Sequence, residues 1–270
     1  MVRRPAVAGM FYPADRGSLE RMVVSYLRGS GRSPDPAVAG IVSPHAGYVY
    51  SGAVAGAAFA SAPETVDTVL IIAPPHRCPV TGASVFDGEA YATPLGDAPI
   101  SRRVTEILLE EGLVFQPQAH RSEHSAEVQV PFVQVRWPEA EIAVVLQGSA
   151  SSDYSRELAG AVRKALEAAG SSIVVASSDL SHYHSQNVAE SKDRKVMDAF
   201  LSGDTVELDR ALTSGGEACG AGPIMTLMHY ADICGFRSYE EIRWSTSAEA
   251  SGDTGQVVGY FAGSVGRESD

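Results

Sequence analysis

The ten residues DTVLIIAPPH, at positions 67–76, join a short apolar run to two prolines and a histidine. The run is rich in Val and Ile and does not alternate with polar residues, which is typical of a β-strand covered on both faces. Three further runs of this kind lie at 37–42, 142–147 and 172–177. Two more strands are expected at 240–246 and 256–263.

Helical patterns separate these runs. Apolar residues fall on one helix face in residues 17–28, 100–111, 153–168, 190–202 and 222–233, and the Ala/Gly-rich stretch 51–61 favours a helix packed tightly on the sheet. Residues 81–99 are turn-rich and predict an irregular excursion or a small hairpin. Alternating strands and helices predict a three-layer α/β/α sandwich with a mostly parallel or mixed central sheet. With no internal repeat or long linker, residues 1–270 are expected to form one domain.

Composition excludes several classes of function. The chain of 270 residues has 21 Lys+Arg and 33 Asp+Glu, a formal charge of −12, so no basic excess is available for general nucleic-acid binding. No apolar run reaches the ~18 residues of a membrane span, so no membrane partner is expected. The N-terminal apolar run, broken by Pro5 and Pro13, is too short for a secretion signal. Cys78, Cys219 and Cys234 lack metal-type spacing and predict reduced thiols in a cytoplasmic protein.

Three of the expected strands end in residues that carry chemistry. His45 follows the strand at 37–42, His76 follows the strand at 67–73, and Asp179 and His182 follow the strand at 172–177. The carboxyl ends of parallel strands meet at one edge of a sheet, where ligand sites lie. Prolines before His45 and His76 stiffen those loops. We therefore expect one shared site.

Two histidines and one carboxylate form the ligand set of non-haem Fe(II), which also suits Zn or Mn. Asp179 is either a ligand or the acceptor that sets a histidine tautomer, and with His182 it resembles an acid/base pair. The candidate carboxylates are Asp179, Glu123, Glu127, Glu249 and Asp253.

A second cluster is SEHSAEVQVPF at 122–132. Ser122 or Ser125 is expected to cap a helix there, with Glu127 in its first turn, where a negative charge favours the helix dipole. His124 lies at the start of this helix and is a candidate proton donor. His120, His184 and His229 are expected to be solvent or packing histidines.

Cys219 lies in GGEACGAGP at 215–223, just before an apolar helix. A thiol near a helix N-terminus has a lowered pKa, so Cys219 is a candidate nucleophile, metal ligand or redox sensor. The competing interpretation is a small residue in a tight turn. Cys78 and Cys234 are expected to be ordinary buried thiols.

Seven motifs, in order along nearly the whole chain, are PAVAGMFYP (5–13), SPHAGYVYSG (43–52), APPH (73–76), SEHSAEVQVPF (122–132), SSDLSH (177–182), ACGAGPI (218–224) and VVGYFAG (257–263). Together they resemble the Memo family, whose prokaryotic members are called AmmeMemoRadiSam system protein B. The resemblance implies an α/β/α domain similar to the class III extradiol dioxygenases, with a metal in a cleft.

The resemblance also implies roles for individual residues. His45 and His76 correspond to the metal-binding histidines, whereas Asp179, His182 and His124 line the same cleft. Animal members supply a cysteine as third ligand just before the last strand, where this chain has Ala250. We expect the adjacent Glu249 to serve instead; the alternatives are Asp179 or His182 as third ligand, or a site without a tightly held metal.

The sequence is consistent with three functions. The first is a metal-dependent redox enzyme, with Fe(II) as the favoured ion and Zn or Cu as alternatives, that cleaves a catechol-like or other small molecule. His124, Asp179, His182 and Cys219 are its candidate catalytic residues. The second is a non-catalytic metal- or peptide-binding module beside a radical-SAM protein, the partner that the family name implies. The third is a hydrolase in which zinc activates water.

Overall fold

The structure, a computed structural model, describes residues 1–268. Its strands are β1 (Val2–Arg3), β2 (Val38–Ser43), β3 (Thr68–Ala73), β4 (Ala83–Val85), β5 (Ala90–Thr93), β6 (Gly96–Pro99), β7 (Glu141–Gln147), β8 (Ser172–Ser177), β9 (Asp179–His184), β10 (Ser238–Thr246) and β11 (Val257–Gly266). Its helices are α1 (Arg16–Gly29), α2 (Tyr48–Ser61), α3 (Arg102–Glu110), α4 (Pro117–Arg121), α5 (Val130–Arg136), α6 (Ser152–Glu167), α7 (Gln186–Ser202), α8 (Thr205–Thr213), α9 (Ala221–Cys234) and α10 (Ala248–Ser251). A short 3-10 helix (Glu127–Gln129) precedes α5.

The large sheet is mixed. Its centre consists of β2, β8, β3 and β7, which are parallel neighbours in that order. Antiparallel β11 and β10 extend one edge, β9 pairs with β11, and antiparallel β4 lies beside β7 at the other edge. A small separate sheet has the order β1-β5-β6 and contains the hairpin predicted within residues 81–99. The carboxyl ends of β2, β8 and β3 are therefore adjacent.

Helices cover both faces of the large sheet, which confirms the predicted three layers. In β3, Val69 and Ile71 pack in one hydrophobic cluster while Leu70 and Ile72 pack in the other. The first cluster includes residues of α1, α2 and α5, and the second includes residues of α3, α6, α7, α8 and α9. Because both faces are buried, the central strands carry apolar residues without alternation. Within the described residues, every helix is too short or too polar to cross a bilayer.

The small residues of α2 permit a close approach to α1. A Cβ added at Gly56 would lie 2.7 Å from the backbone carbonyl carbon of Tyr26, closer than non-bonded carbons approach. The phenol of Tyr26 then donates a hydrogen bond to the Tyr48 carbonyl at 2.7 Å. The Ala/Gly-rich composition of this helix is thus explained by its contact with α1.

The structure corrects the helix expected near residues 122–132. Ser122 follows the last residue of α4, and the next helical segment is the 3-10 helix that begins at Glu127 after its N-cap Ala126, so neither Ser122 nor Ser125 caps a helix. The Ser125 hydroxyl instead donates to the Pro74 carbonyl at 2.6 Å. The segment from 179 to 184, which the sequence did not predict as a strand, is β9.

Glu127 lies in the first turn of the 3-10 helix, as predicted, but its side chain is fully buried. Its carboxylate accepts hydrogen bonds from the backbone N–H groups of Ala6 at 2.8 Å and Val7 at 3.1 Å, and from the Tyr12 phenol. It also pairs with the buried Arg3 guanidinium. The N-terminal segment is therefore held against the segment that carries His124.

Buried His120 should make stability depend on pH. Burial, and next the Arg3 guanidinium, lower its pKa from 6.5 to about 3, so the folded protein keeps this ring neutral. An unfolded histidine gains its proton near pH ~6.5, so this contribution is complete above that pH and is lost as the pH falls toward 3. We expect a loss of up to ~1.4 kcal/mol per pH unit in this window. Urea denaturation of His120→Asn from pH 7 to 4.5 should give a flatter dependence than wild type, and parallel curves would contradict the assignment.

Candidate metal centre

Three potential metal ligands meet at the carboxyl ends of the central strands. His45 follows β2, His76 follows β3, and Cys219 lies in the loop before α9. The Nε2 atom of His45 is 3.1 Å from Nε2 of His76 and 3.3 Å from Sγ of Cys219. All three donor atoms lie within 4.8 Å of one another. The structure thus brings the two predicted histidines together at the edge where the carboxyl ends of the parallel strands meet.

The spacing of these atoms suits a bound ion. Two imidazole nitrogens, each about 2.0–2.1 Å from a tetrahedral ion, are ~3.3 Å apart, and a nitrogen and a thiolate sulfur are ~3.6 Å apart. The separations of 3.1 Å and 3.3 Å approach these values without a rearrangement of the backbone. His45 is buried but His76 is exposed, so the group faces solvent on one side.

Hydrogen bonds fix both the backbone and the buried ring nitrogen of His45. Its backbone N–H donates to Oδ1 of Asp179 at 2.7 Å, and its Nδ1 lies 2.8 Å from the Ser177 hydroxyl. Burial lowers the pKa of His45 well below its usual value, and charges on His76 and His124 lower it further. The ring is therefore neutral, which is the form that binds metals.

Cys219 is bound to the first residue of β9. Its backbone N–H donates to the Asp179 carbonyl at 3.1 Å, and the Asp179 N–H donates to Sγ at 3.2 Å. Only glycine permits this approach at position 220, because a Cβ there would lie 2.3 Å from the Ser177 carbonyl oxygen. The expected lowered pKa is wrong: burial raises the pKa of the Cys219 thiol, and the charge of Asp179 raises it further.

Glu123 organises the loops that carry two of the histidines. Its carboxylate accepts hydrogen bonds from four backbone N–H groups, those of His76, Arg77 at 3.0 Å, His124 at 2.8 Å and Ser125 at 3.1 Å. Burial alone would raise the pKa of Glu123, but the adjacent His124 imidazole and the backbone N–H groups of Ser125 and His76 outweigh it and lower the pKa to about 2. The side chain is a structural clamp that joins the loop after β3 to the loop after α4.

His124 lies beside the pair of histidines. Its ring stacks on His76 at 5.2 Å between centroids, contacts His45 edge-to-face at 5.8 Å, and meets the ring of Phe11 at 4.8 Å. Its Nδ1 is 3.1 Å from Oε1 of Glu123 but makes no hydrogen bond to any described residue. A third imidazole therefore borders the site.

Asp179 and His182 also border the site, from β9. Burial raises the pKa of Asp179 to about 6, although the His45 N–H and the charge of His182 oppose this increase. The Nδ1–H of His182 donates to the Leu180 carbonyl at 2.8 Å, which leaves the lone pair on Nε2. The next residue, Tyr183, has a φ of 62° and lies where the pairing of β9 with β11 is irregular. Such bulges reorient neighbouring side chains, here those of His182 and His184.

Glu249 lies apart from this group. Its carboxylate pairs with Arg243 at 2.5 Å and accepts the Ser245 hydroxyl. Of the residues that the structure describes, those close enough to share an ion are His45, His76 and Cys219. Glu249 is therefore not part of this group, in which Cys219 takes the third place. The motif ACGAGPI was the signal for this ligand, but spacing alone did not connect it to the histidines.

The other candidate groups have local partners. Asp253, a candidate carboxylate, is exposed and accepts the Gly255 N–H at 2.8 Å. His184 contacts Glu217 at 3.0 Å, and His229 contacts the Ser152 hydroxyl at 3.1 Å. A cavity of about 340 Å³ adjoins His76, between Pro75 and Gly148.

Comparisons with known proteins agree over nearly the full chain. A family model described as "Memo-like protein" matches residues 3–264. A MEMO1 family protein of Methanococcoides burtonii is 36% identical over 267 residues, covering 97% of this chain and 98% of its own. One of Thermotoga maritima is 34% identical over 277 residues, covering 97% and 99%. A crystal structure of an uncharacterized Escherichia coli protein, JW3007, covers 84% of this chain and 99% of its own with a TM-score of 0.55, and at 12% identity it shows the fold alone.

Proposed function

Because the chain belongs to the Memo family, we propose that it is a metal-dependent protein whose ion is held by His45, His76 and Cys219. The convergence of these three donor atoms from three distant segments carries the proposal. Two imidazoles and a thiolate leave further coordination positions on the solvent side. Open positions of this kind are typical of catalytic rather than structural metal sites. We place the centre in a single domain of residues 1–270.

The donor set bears on the choice of ion. The Fe(II) hypothesis depended on a carboxylate as third ligand, with Glu249 as the first choice and Asp179 as an alternative, because two histidines and a carboxylate form the facial set of iron oxygenases. A thiolate in that place also suits zinc and copper, which bind imidazole and sulfur well. Fe(II) stays our first candidate ion for a redox enzyme. Zinc and copper are the alternatives, and elemental analysis of the purified protein distinguishes the three.

The surrounding residues suit proton transfer to a small-molecule substrate. A bound ion would supply Lewis-acid or redox chemistry at its open positions. With its pKa near 6, Asp179 holds or releases a proton close to neutral pH. The Nε2 lone pair of His182 accepts a proton, and His124 borders the same space. We propose a dioxygenase-like oxidoreductase, with catechol-like rings as the first substrates to test.

The exposure of His76 favours a second candidate function. An ion that is reached from solvent through an exposed ligand suits a carrier or scaffold as well as an enzyme. In that case the chain passes or presents its metal to a partner, and the radical-SAM protein implied by the family name is our candidate. A zinc hydrolase is the third possibility, in which Asp179 and His182 assist a metal-activated water.

Metal content tests the proposal. We expect about one ion per chain in protein purified without added metal or chelator, because three ligands are already in place. His45→Ala should reduce the occupancy below about one-tenth, since it removes the central ligand. His229→Asn, which changes a histidine outside the group, is the control and should keep the ion. Elemental analysis measures all three proteins.

Two results would contradict the metal centre. One is a wild-type protein that binds neither iron, zinc nor copper after anaerobic reconstitution, and the other is full occupancy in His45→Ala. If iron is found, O₂ uptake with catechols separates the oxidoreductase from the carrier. If zinc is found, the hydrolase becomes the first candidate.

A further inference from the structure

The buried end of the His45 ring contacts a serine whose hydrogen bonds are all determined. Ser177 is the last residue of β8, and its Oγ lies 2.8 Å from Nδ1 of His45. The same Oγ is 2.7 Å from the Ser125 carbonyl and 2.8 Å from Nε2 of Gln129. A hydroxyl donates once and accepts twice, so these three contacts exhaust its capacity.

The donor and the acceptor in two of these hydrogen bonds are fixed, because one partner can only accept and the other can only donate. Carbonyl oxygens only accept, so the Ser177 proton goes to the Ser125 carbonyl. The Gln129 amide also faces the carbonyl of Pro44 at 3.0 Å, which identifies the facing atom as the NH₂ group. That group therefore donates to Ser177 Oγ. The Oε1 atom of Gln129, by contrast, is buried without a hydrogen-bond partner in residues 1–268.

One assignment remains for the contact with His45. The hydroxyl proton is already committed, so Nδ1 of His45 must carry the hydrogen and donate it to Ser177 Oγ. In a neutral imidazole with a proton on Nδ1, Nε2 has the lone pair. Nε2 is the atom that faces His76 and Cys219.

We propose that Ser177 is a positioning residue that sets the tautomer of His45 and so turns the Nε2 lone pair toward the ion. The inference rests on the proposed metal centre. The Ser125 carbonyl and the Gln129 amide fix the orientation of the Ser177 hydroxyl, so this one contact is sufficient to set the tautomer of His45. Residues that orient a ligating histidine in this way typically change metal affinity about 10–100-fold when they are lost.

The tautomer is measured directly in the metal-free protein. Histidines are labelled with ¹⁵N, long-range ¹H–¹⁵N correlations are recorded, and His45 is assigned from the signal that His45→Ala loses. Wild type should show a protonated Nδ1 and an unprotonated Nε2. Ser177→Ala should populate the tautomer of His45 with the proton on Nε2, because that N–H can then donate to His76 or Cys219. Its Zn(II) affinity should fall about 10–100-fold.

Ser43→Ala is a matched control. Ser43 is the residue of β2 directly opposite Ser177, it is equally buried, and its hydroxyl has no partner in the described part of the chain. We expect it to keep the wild-type tautomer and Zn(II) affinity. Ser177→Thr, which retains the hydroxyl, should also keep the wild-type tautomer and Zn(II) affinity.

Several results would overturn the inference: a protonated Nε2 in wild type, an unchanged tautomer in Ser177→Ala, or the same change in Ser43→Ala. The wild-type spectrum decides even if Ser177→Ala does not fold. Because the tautomer is read without metal, the expected spectrum in a protein that binds no Zn(II) refutes only the metal centre. Tight Zn(II) binding with the opposite tautomer refutes only the role of Ser177.

Discussion

Replacing Cys219 with serine is expected to weaken zinc binding by about 10²-fold. Structural zinc sites gain about 10–16 kcal/mol from four ligands, or roughly 3 kcal/mol each, which corresponds to ~10²-fold in affinity. The hydroxyl of serine stays protonated at neutral pH and is a poor substitute for a thiolate. Competition titration with a chromophoric chelator measures the affinity, and loss of sulfur-to-metal charge-transfer absorption in the Co(II) form gives a second signature.

Three controls identify which side chain is the third ligand. Cys78→Ser and Cys234→Ser remove thiols outside the proposed group and should leave zinc affinity unchanged. Glu249→Gln should also leave it unchanged, because that carboxylate is paired with Arg243. If Glu249→Gln releases the ion while Cys219→Ser retains it, the ligand set is the two-histidine-one-carboxylate arrangement expected from sequence, and our assignment is refuted.

The Arg3→Met variant is expected to lose about 3–5 kcal/mol of folding free energy, the usual cost of leaving one partner of a buried ion pair alone. Arg3 pairs with Glu127, and their side chains are 3% and 0% exposed. The guanidinium also donates to the carbonyls of His120, at 2.9 Å, and Glu123. Urea denaturation measures the loss, and we expect a melting temperature lower by roughly 10 °C.

An exposed ion pair provides the control for that measurement. Arg163 and Glu167 lie one turn apart on α6, with side chains 42% and 59% exposed. Arg163→Met should change stability by less than ~1 kcal/mol, because solvent screens such pairs. Equal effects of the two substitutions would show that Glu127 is neutralised or solvated, contrary to its burial. A selective loss would confirm that the N-terminal segment stabilises the loop of His124.

Local hydrophobic patterns were sufficient to predict the three layers of the fold. The runs at 37–42, 67–73, 142–147 and 172–177 became β2, β3, β7 and β8 with shifts of at most about one residue at each end, within the usual disagreement on boundaries. Helices of strong periodicity, such as α1 and α6, were equally clear. By contrast, β9 was missed because the pattern SSDLSH carries polar side chains for the site and no apolar alternation.

The sequence by itself predicted that His45 and His76 lie at one edge of the sheet, because apolar runs alternating with helices predict parallel strands, whose carboxyl ends share an edge. Tertiary structure decided which residue joins them. Cys219 is 174 positions from His45, and only the packing of α9 and its glycine-rich loop against β8 and β9 brings the thiol within 3.3 Å. The burial of Glu127 and the tautomer of His45 were decided in the same way. Hydrophobic periodicity is a local property of the chain, whereas hydrogen bonds among buried polar groups depend on which distant segments fold together.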